Sequence, residues 1–272
     1  DFADTISQLE TDGFVDRARQ ALPTREALRQ RRSQFAGLAH PELGLIEAHA
    51  KVALREQLVD SNLPDDAFFE RYLRRYFPEA VDARCGQGVR SHRLRRRIVA
   101  AEIATALHDR MGVTFLARVR RDTGATPAHV ARCWAVAAEL ARADEIWGAI
   151  GGADPALPLA GESACWNAVV AAVERATRWL VRTQPEDAAA TVLFDAFERT
   201  VEEVRANRDT AVPPALADHS AAQVESIAAR RVPRNLVQQV VDLARFAAEI
   251  DIASIALVHN LHARLAAIGY LR

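Results

Sequence analysis

The chain has 272 residues, of which 50% are hydrophobic and 26% charged, with 35 basic and 36 acidic side chains and a formal net charge of -1. This composition excludes a disordered chain, because it is typical of a soluble globular protein with a sizeable buried core. The balance of charge excludes a surface built throughout for phosphate groups, so nucleic-acid binding would require a local basic patch.

Residue usage favours helix over strand. Alanine and leucine are abundant, glycine and proline number only 12 and 11, and runs of β-branched or aromatic residues are rare. The sequence therefore predicts an all-α protein, a multi-helix bundle of about ten to twelve helices that can divide into two lobes. Every basic side chain except Lys51 is an arginine.

Apolar residues at spacings of three and four, together with cap and breaker residues, predict the helices along the chain. Thr24 is a predicted N-cap, Pro41 a first-turn proline and Asp66 a further cap, whereas Gly112 and Gly124 are predicted stops. The predicted helices cover residues 2–19 with a break at Gly13, 24–35, 41–61, 66–77, 89–111, 114–122, 126–147, 162–182, 186–207, 214–230, 233–250 and 252–268.

The strongest chain breaker is the glycine- and proline-rich stretch 151–161, which predicts a seam between two lobes. Residues 1–36 form a predicted helical pair, residues 37–150 a main helical lobe, and residues 162–272 a second helical lobe. No apolar stretch is long enough to span a membrane, and no membrane partner is expected. The three cysteines are odd in number and far apart, which fits a reducing, cytoplasmic location.

The sequence offers no complete motif for catalysis, cofactor binding or metal binding. The string beginning Gly86-Gln87-Gly88 has no third glycine and no preceding strand, so it predicts a turn between helices and not a phosphate loop. His259 and His262 share a helix face but have no third ligand at a diagnostic spacing. No serine-hydrolase elbow is present, and Cys133 and Cys165 lie in apolar surroundings typical of inert thiols.

The densest charged segment opens the predicted helix 89–111. Two interpretations remain open: ion pairs to neighbouring acidic helices or to another domain, and binding of RNA or phosphate, which the lack of stacking aromatics does not favour. Lys51 is a further candidate, with two interpretations: a chance exception to the use of arginine, which is favoured because one residue makes no pattern, or a role for its slimmer amine that arginine cannot serve. The candidate interaction residues are Arg90, His92, Arg93, Arg95, Arg96, Arg97 and Lys51.

Several ordered blocks resemble the C-terminal part of the large bacterial NAD-specific glutamate dehydrogenases. The resemblance covers most of the first two hundred residues at natural spacing and weakens after about residue 207. Its blocks are Leu38–Leu43, Ala48–Leu54, Ser61–Asp66, Tyr76–Pro78, Ser91–Ile98, Arg110–Phe115, Asp122–Ala125, Val130–Arg132 and Arg175–Trp179.

The resemblance implies a parent enzyme that deaminates L-glutamate oxidatively to 2-oxoglutarate and ammonia while reducing NAD. It also implies that the cofactor site and the catalytic residues lie upstream, so that residues 1–36 lead from an absent catalytic region and this piece alone is inactive and holds no cofactor. The expected partners are that upstream domain of the same chain and further copies of the parent enzyme. The alternative is a free-standing helical module that binds a protein helix or RNA through its arginines.

Overall fold

The computed structural model describes residues 1–152, 157–206, 225–244, 246 and 250. These residues form helices joined by turns, without a strand among them, which confirms the all-α prediction. The α-helices are α1 (Phe2–Thr11), α2 (Arg25–Ser33), α3 (His40–Val59), α4 (Glu70–Tyr76), α5 (Glu79–Arg90), α6 (Arg95–Met111), α7 (Phe115–Thr123), α8 (Pro127–Leu140), α9 (Ala143–Gly151), α10 (Leu159–Thr183), α11 (Ala190–Ala206) and α12 (Arg234–Ala244). Two short 3₁₀ turns, Leu63–Asp65 and Ala67–Phe69, precede α4.

Side-chain caps set several helix starts where the sequence predicts them. The Thr24 hydroxyl accepts a hydrogen bond from the Ala27 N–H at 3.1 Å, which satisfies one of the free donors at the start of α2. At the start of α3, the Glu42 carboxylate accepts from the Ala39 N–H at 2.7 Å. The α7 helix ends at Gly124, whose left-handed backbone (φ 73°) suits glycine because it has no Cβ.

Contacts divide the chain into two compact units, Asp1–Arg132 and Cys133–Arg272, with the boundary inside α8. The lobe boundaries and the seam at 151–161 remain predictions. In the first unit, α3 and α6 pack along each other, α4 packs on α5 and α6, and α1 packs on α3 and α7. In the second unit, α10 packs on α9 and α12, which also contact each other.

The core of the first unit follows from the spacing of apolar residues on α3. Ile46, Ala50, Leu54 and Leu58 recur every four residues, lie on one face and are all buried. The facing helix α6 buries Val99, Ala100, Ile103, Ala104 and Leu107 among others. The elements that carry the candidate residues are therefore held in place by a continuous apolar contact between α3 and α6.

Two of the long helices predicted from the sequence are each divided into two helices in the structure. The helix predicted over 89–111 is interrupted at residues 91–94, where the Leu94 N–H donates to His92 Nδ1 at 3.2 Å and the chain turns. The helix predicted over 126–147 stops at Leu140 and restarts at Ala143, because Arg142 adopts a left-handed conformation with φ 51°.

The turn between helices predicted at Gly86 and Gly88 corresponds to a kink one residue earlier, at Cys85 (φ -130°, ψ 28°), where the backbone departs from helical geometry; both glycines lie within the helical part of α5 that follows. The helix predicted over 252–268, with His259 and His262, lies outside the described residues, as does most of the helix predicted over 214–230. In the part of the chain that the structure describes, no helix is both long enough and apolar enough to cross a membrane.

Candidate interaction surface

The arginine-rich segment spans the end of α5, a turn and the first turn of α6. The turn is held by the His92 ring, which accepts from the Leu94 N–H and packs edge-on against the Phe77 ring with centroids 5.7 Å apart. Because the chain turns here, the arginines of the segment do not share one helix face. Some of them contact other parts of the first unit, and the others are exposed without an ion pair among the described residues.

Two arginines bind the segment that follows α3. Arg96 donates to the carbonyl oxygens of Val59 and Ser61 at 2.7 and 2.8 Å and forms an ion pair with Asp65. Arg95 donates to the Pro64 carbonyl at 3.1 Å and lies 3.3 Å from the same Asp65 carboxylate. The last carbonyls of a helix have no partner within the helix and carry partial negative charge. A guanidinium at the end of α3 therefore satisfies these acceptors and stabilises the helix end.

A third arginine joins neighbouring helices. Arg90 Nε lies 2.6 Å from a carboxylate oxygen of Glu70 at the start of α4. The hydrogen bond to Glu70 raises the pKa of Arg90, which is charged at every physiological pH in any case. Arg90, Arg95 and Arg96 therefore make contacts within the first unit.

The remaining arginines of the segment, Arg93 and Arg97, are exposed, and neither has an ion pair among the described residues. Between them lies Leu94, which is 46% exposed, and Tyr76 is 55% exposed. The Tyr76 ring packs edge-on against Phe77 (5.2 Å), which in turn contacts His92. Tyr76 is thus linked through Phe77 and His92 to the turn that carries Arg93 and Leu94, and the exposed residues Tyr76, Arg93, Leu94 and Arg97 are here called the outward patch.

The chemistry of the outward patch is that of a protein contact. Tyrosine and arginine are enriched among the residues that contribute most to binding at protein interfaces, and Leu94 adds apolar area beside them. The first turn of α6 also places Arg95, Arg96 and Arg97 at the positive end of the helix macrodipole, which favours acidic neighbours. The patch is therefore complementary to a surface that combines carboxylates with apolar groups.

Lys51 lies apart from this segment and connects α3 to α6. Its Nζ atom is 2.6 Å from Asp109 and 3.1 Å from Glu47, and its side chain is 29% exposed. Burial favours the neutral amine, but the hydrogen bonds to Asp109 and Glu47 outweigh that effect and raise the pKa of Lys51. The amine is thus a charged link between two packed helices, and any special role beyond that remains a prediction.

His108, next to Asp109 on α6, is a titratable residue that no motif in the sequence singles out. It is 4% exposed, and Nδ1 lies 2.8 Å from the carbonyl oxygen of Ala104. Because that carbonyl can only accept, Nδ1 carries a proton in this contact. Burial lowers the pKa of His108, and the Lys51 charge lowers it further, against the opposing effects of Ala104, Glu47 and Asp109.

This arrangement predicts an acid-sensitive first unit. As the pH falls through about 6.5, the unfolded chain binds more protons at His108 than the folded chain, whose pKa there is lower, so stability falls by at most about 1.4 kcal/mol per pH unit. We expect His108→Gln to lose less stability between pH 7 and pH 5 than the unchanged chain, measured by urea unfolding. His40→Gln, at an exposed position, is the control; equal losses in all three proteins would contradict the prediction.

The other candidate groups show ordinary structural roles. Cys133 and Cys165 are buried, Cys85 is exposed, and burial raises the pKa of the Cys165 thiol. Within the described ranges, no three His, Cys, Asp or Glu side chains are placed to hold a metal ion.

Comparison with known proteins identifies relatives along most of the chain. A family model described as glutamate dehydrogenase, C-terminal, matches residues 35–272. The NAD-specific glutamate dehydrogenase of Halomonas elongata is 34% identical over 177 residues, 65% of this chain, and that of Mycobacterium tuberculosis is 32% identical over 196 residues, 72% of this chain. The corresponding protein of Pseudomonas aeruginosa is 32% identical over 179 residues, 66% of the chain. The match spans only 11–12% of the length of these relatives.

Proposed function

The chain belongs to the glutamate dehydrogenase C-terminal family, and on this premise we propose that it is the C-terminal helical part of a much longer NAD-dependent glutamate dehydrogenase. The proposed reaction of the whole enzyme converts L-glutamate, NAD and water to 2-oxoglutarate, ammonia and NADH. The relatives, which carry the name NAD-specific glutamate dehydrogenase, support this proposal. We place the NAD and glutamate sites in the catalytic region of the same polypeptide, and the enzyme in the cytoplasm.

The part played by this region, in our proposal, is to brace the catalytic region or to join subunits of a homo-oligomer. The outward patch is the observation that carries this role. Arg90, Arg95 and Arg96 form ion pairs within the first unit, whereas Arg93 and Arg97 are exposed on either side of the exposed Leu94 in the sequence. Such a combination gives directional ionic contacts around an apolar anchor, as protein interfaces require.

The test reverses the outward charges in the full-length polypeptide with Arg93→Glu and Arg97→Glu. We expect at least tenfold weaker subunit or domain association, because like charges then face the acidic surface, and a matching loss of glutamate-dependent NADH formation. Association is measured by light scattering across a dilution series. The control, Arg19→Glu with Arg182→Glu, makes the same change in net charge at two exposed arginines outside the patch.

A second experiment tests the wider proposal. Removing residues 1–272 from the full-length polypeptide should impair assembly and lower the rate of NADH formation, while the 272-residue chain alone should produce no NADH. Native assembly and activity after the deletion would show that the region does not brace the enzyme. Salt-sensitive binding of RNA by the chain would instead favour a free-standing interaction module.

A further inference from the structure

The α2 helix ends in a residue that its backbone conformation disfavours. The N–H of Ala36 bonds to the Arg31 carbonyl at 2.8 Å and that of Phe35 to the Arg32 carbonyl at 3.1 Å, which is the hydrogen-bond pattern of a Schellman cap. Phe35 occupies the left-handed position of this cap with φ 57°, where glycine is the usual residue. Its ring is also fully exposed to solvent.

An apolar groove with a basic rim lies next to Phe35. Its volume is about 410 Å³, within the range of about 300–1,000 Å³ that is usual for binding clefts. Phe2, Leu28 and Leu38 are among the apolar lining residues, and Ala36 and Gly37, directly after Phe35, also line the groove. Phe35 itself does not line the groove, but it directly precedes two residues that do, so the exposed ring stands at the edge of the groove.

The rim of the groove carries three arginines of α2 whose charge is only weakly compensated. Arg25 lies 3.6 Å from Asp4, with side chains 53% and 35% exposed, and Arg29 lies 3.7 Å from Glu26, with side chains 75% and 85% exposed. Arg32 is exposed and has no ion pair among the residues that the structure describes. Exposed pairs of this kind leave most of the positive potential available to a partner.

We propose that this groove is a second docking site, which binds an acidic segment with apolar anchor residues from the remaining glutamate dehydrogenase polypeptide. Carboxylates of that segment pair with Arg25, Arg29 and Arg32, its apolar side chains enter the groove, and Phe35 inserts into the partner. A second copy of this chain is disfavoured as the occupant, because it would bring its own three rim arginines against these three. The polypeptide outside the structure is long enough, since the match covers only 11–12% of the relatives.

This inference rests on the proposed function, but it predicts a behaviour of its own. Phe35→Gly relieves the left-handed strain and removes no buried side chain, so it should raise the Tm of the 272-residue chain by about 2–4 °C. The same substitution removes the anchor and should weaken docking. Ala21→Gly is the matched control, because Ala21 is exposed, has φ 53° and does not line the groove.

Hydrogen exchange of the amides of residues 25–38 measures docking directly. We expect these amides to exchange about tenfold more slowly in the full-length polypeptide than in the 272-residue chain, because docking suppresses local opening. Phe35→Gly and Arg32→Glu should each abolish that difference in the full-length polypeptide. Ala21→Gly should preserve the difference, although it also raises the Tm.

Two results would overturn the inference. One is equal exchange of residues 25–38 in the full-length polypeptide and in the 272-residue chain; the other is dimerisation of the chain that Phe35→Gly abolishes, which would make a second copy the occupant. If removal of residues 1–272 impairs assembly while residues 25–38 stay unprotected, the proposed function stands and this inference alone is wrong.

Discussion

Replacing Leu54 by alanine is expected to destabilise the first unit by about 2–5 kcal/mol, the range for fully buried leucines whose surroundings relax only in part. Leu54 has no exposed surface and lies on the buried face of α3, the helix that packs along α6. The substitution removes apolar contact and leaves a cavity in the part of the core that positions the arginine segment. Urea unfolding followed by circular dichroism measures the change.

Val52→Ala is the matched control for this substitution, because Val52 is on the same helix but exposed. Its effect should remain within about 0.5 kcal/mol. If Leu54→Ala costs no more than Val52→Ala, the contact between α3 and α6 does not stabilise the unit as the packing indicates.

Gly161→Ala is expected to destabilise the second unit by about 1–3 kcal/mol, although alanine is the better helix former. Gly161 is buried near the start of α10, and a Cβ atom there would lie 2.9 Å from the Arg230 carbonyl oxygen and 2.9 Å from the Val232 side chain. At such distances the backbone around residue 230 must move. All four tryptophans lie at or beyond residue 134, so tryptophan fluorescence reports the unfolding of this unit.

Gly148→Ala, within α9 of the same unit, is the control, and it should change the stability in the opposite direction. No atom lies within 4 Å of the position of its added Cβ, so only the helix preference acts, and stability should rise by about 0.5–1 kcal/mol. Equal effects of the two substitutions would mean that the close approach to Arg230 is not a packing constraint.

Local features of the sequence predict much of the fold. The apolar spacing on α3, the Thr24 cap and the stop at Gly124 each act within about one helical turn, so they can be recognised without knowledge of the tertiary structure. The break between α5 and α6 is different, because nothing in the spacing of apolar residues marks the hydrogen bond between Leu94 and the His92 ring. Helix continuity was therefore predicted less well than helix content.

The candidate surface was likewise predicted only in part from the sequence. The sequence located the arginine segment but not the separation of Arg95 and Arg96 from Arg93 and Arg97. Asp65 precedes its partners Arg95 and Arg96 by 30 and 31 residues in the sequence, and Val59, whose carbonyl accepts from Arg96, precedes it by 37 residues. Lys51 likewise pairs with Asp109, 58 residues further along the chain.

The all-α class, most helix positions and, through ordered blocks of residues, membership of the glutamate dehydrogenase C-terminal family follow from the amino-acid sequence alone. These properties depend on interactions between near neighbours or on the order of residues along the chain. Three further properties are visible only in the folded chain: which arginines are exposed, that His108 is buried, and that Phe35 stands beside an apolar groove. Each of these depends on contacts between distant segments, and neither composition nor spacing records which segments meet.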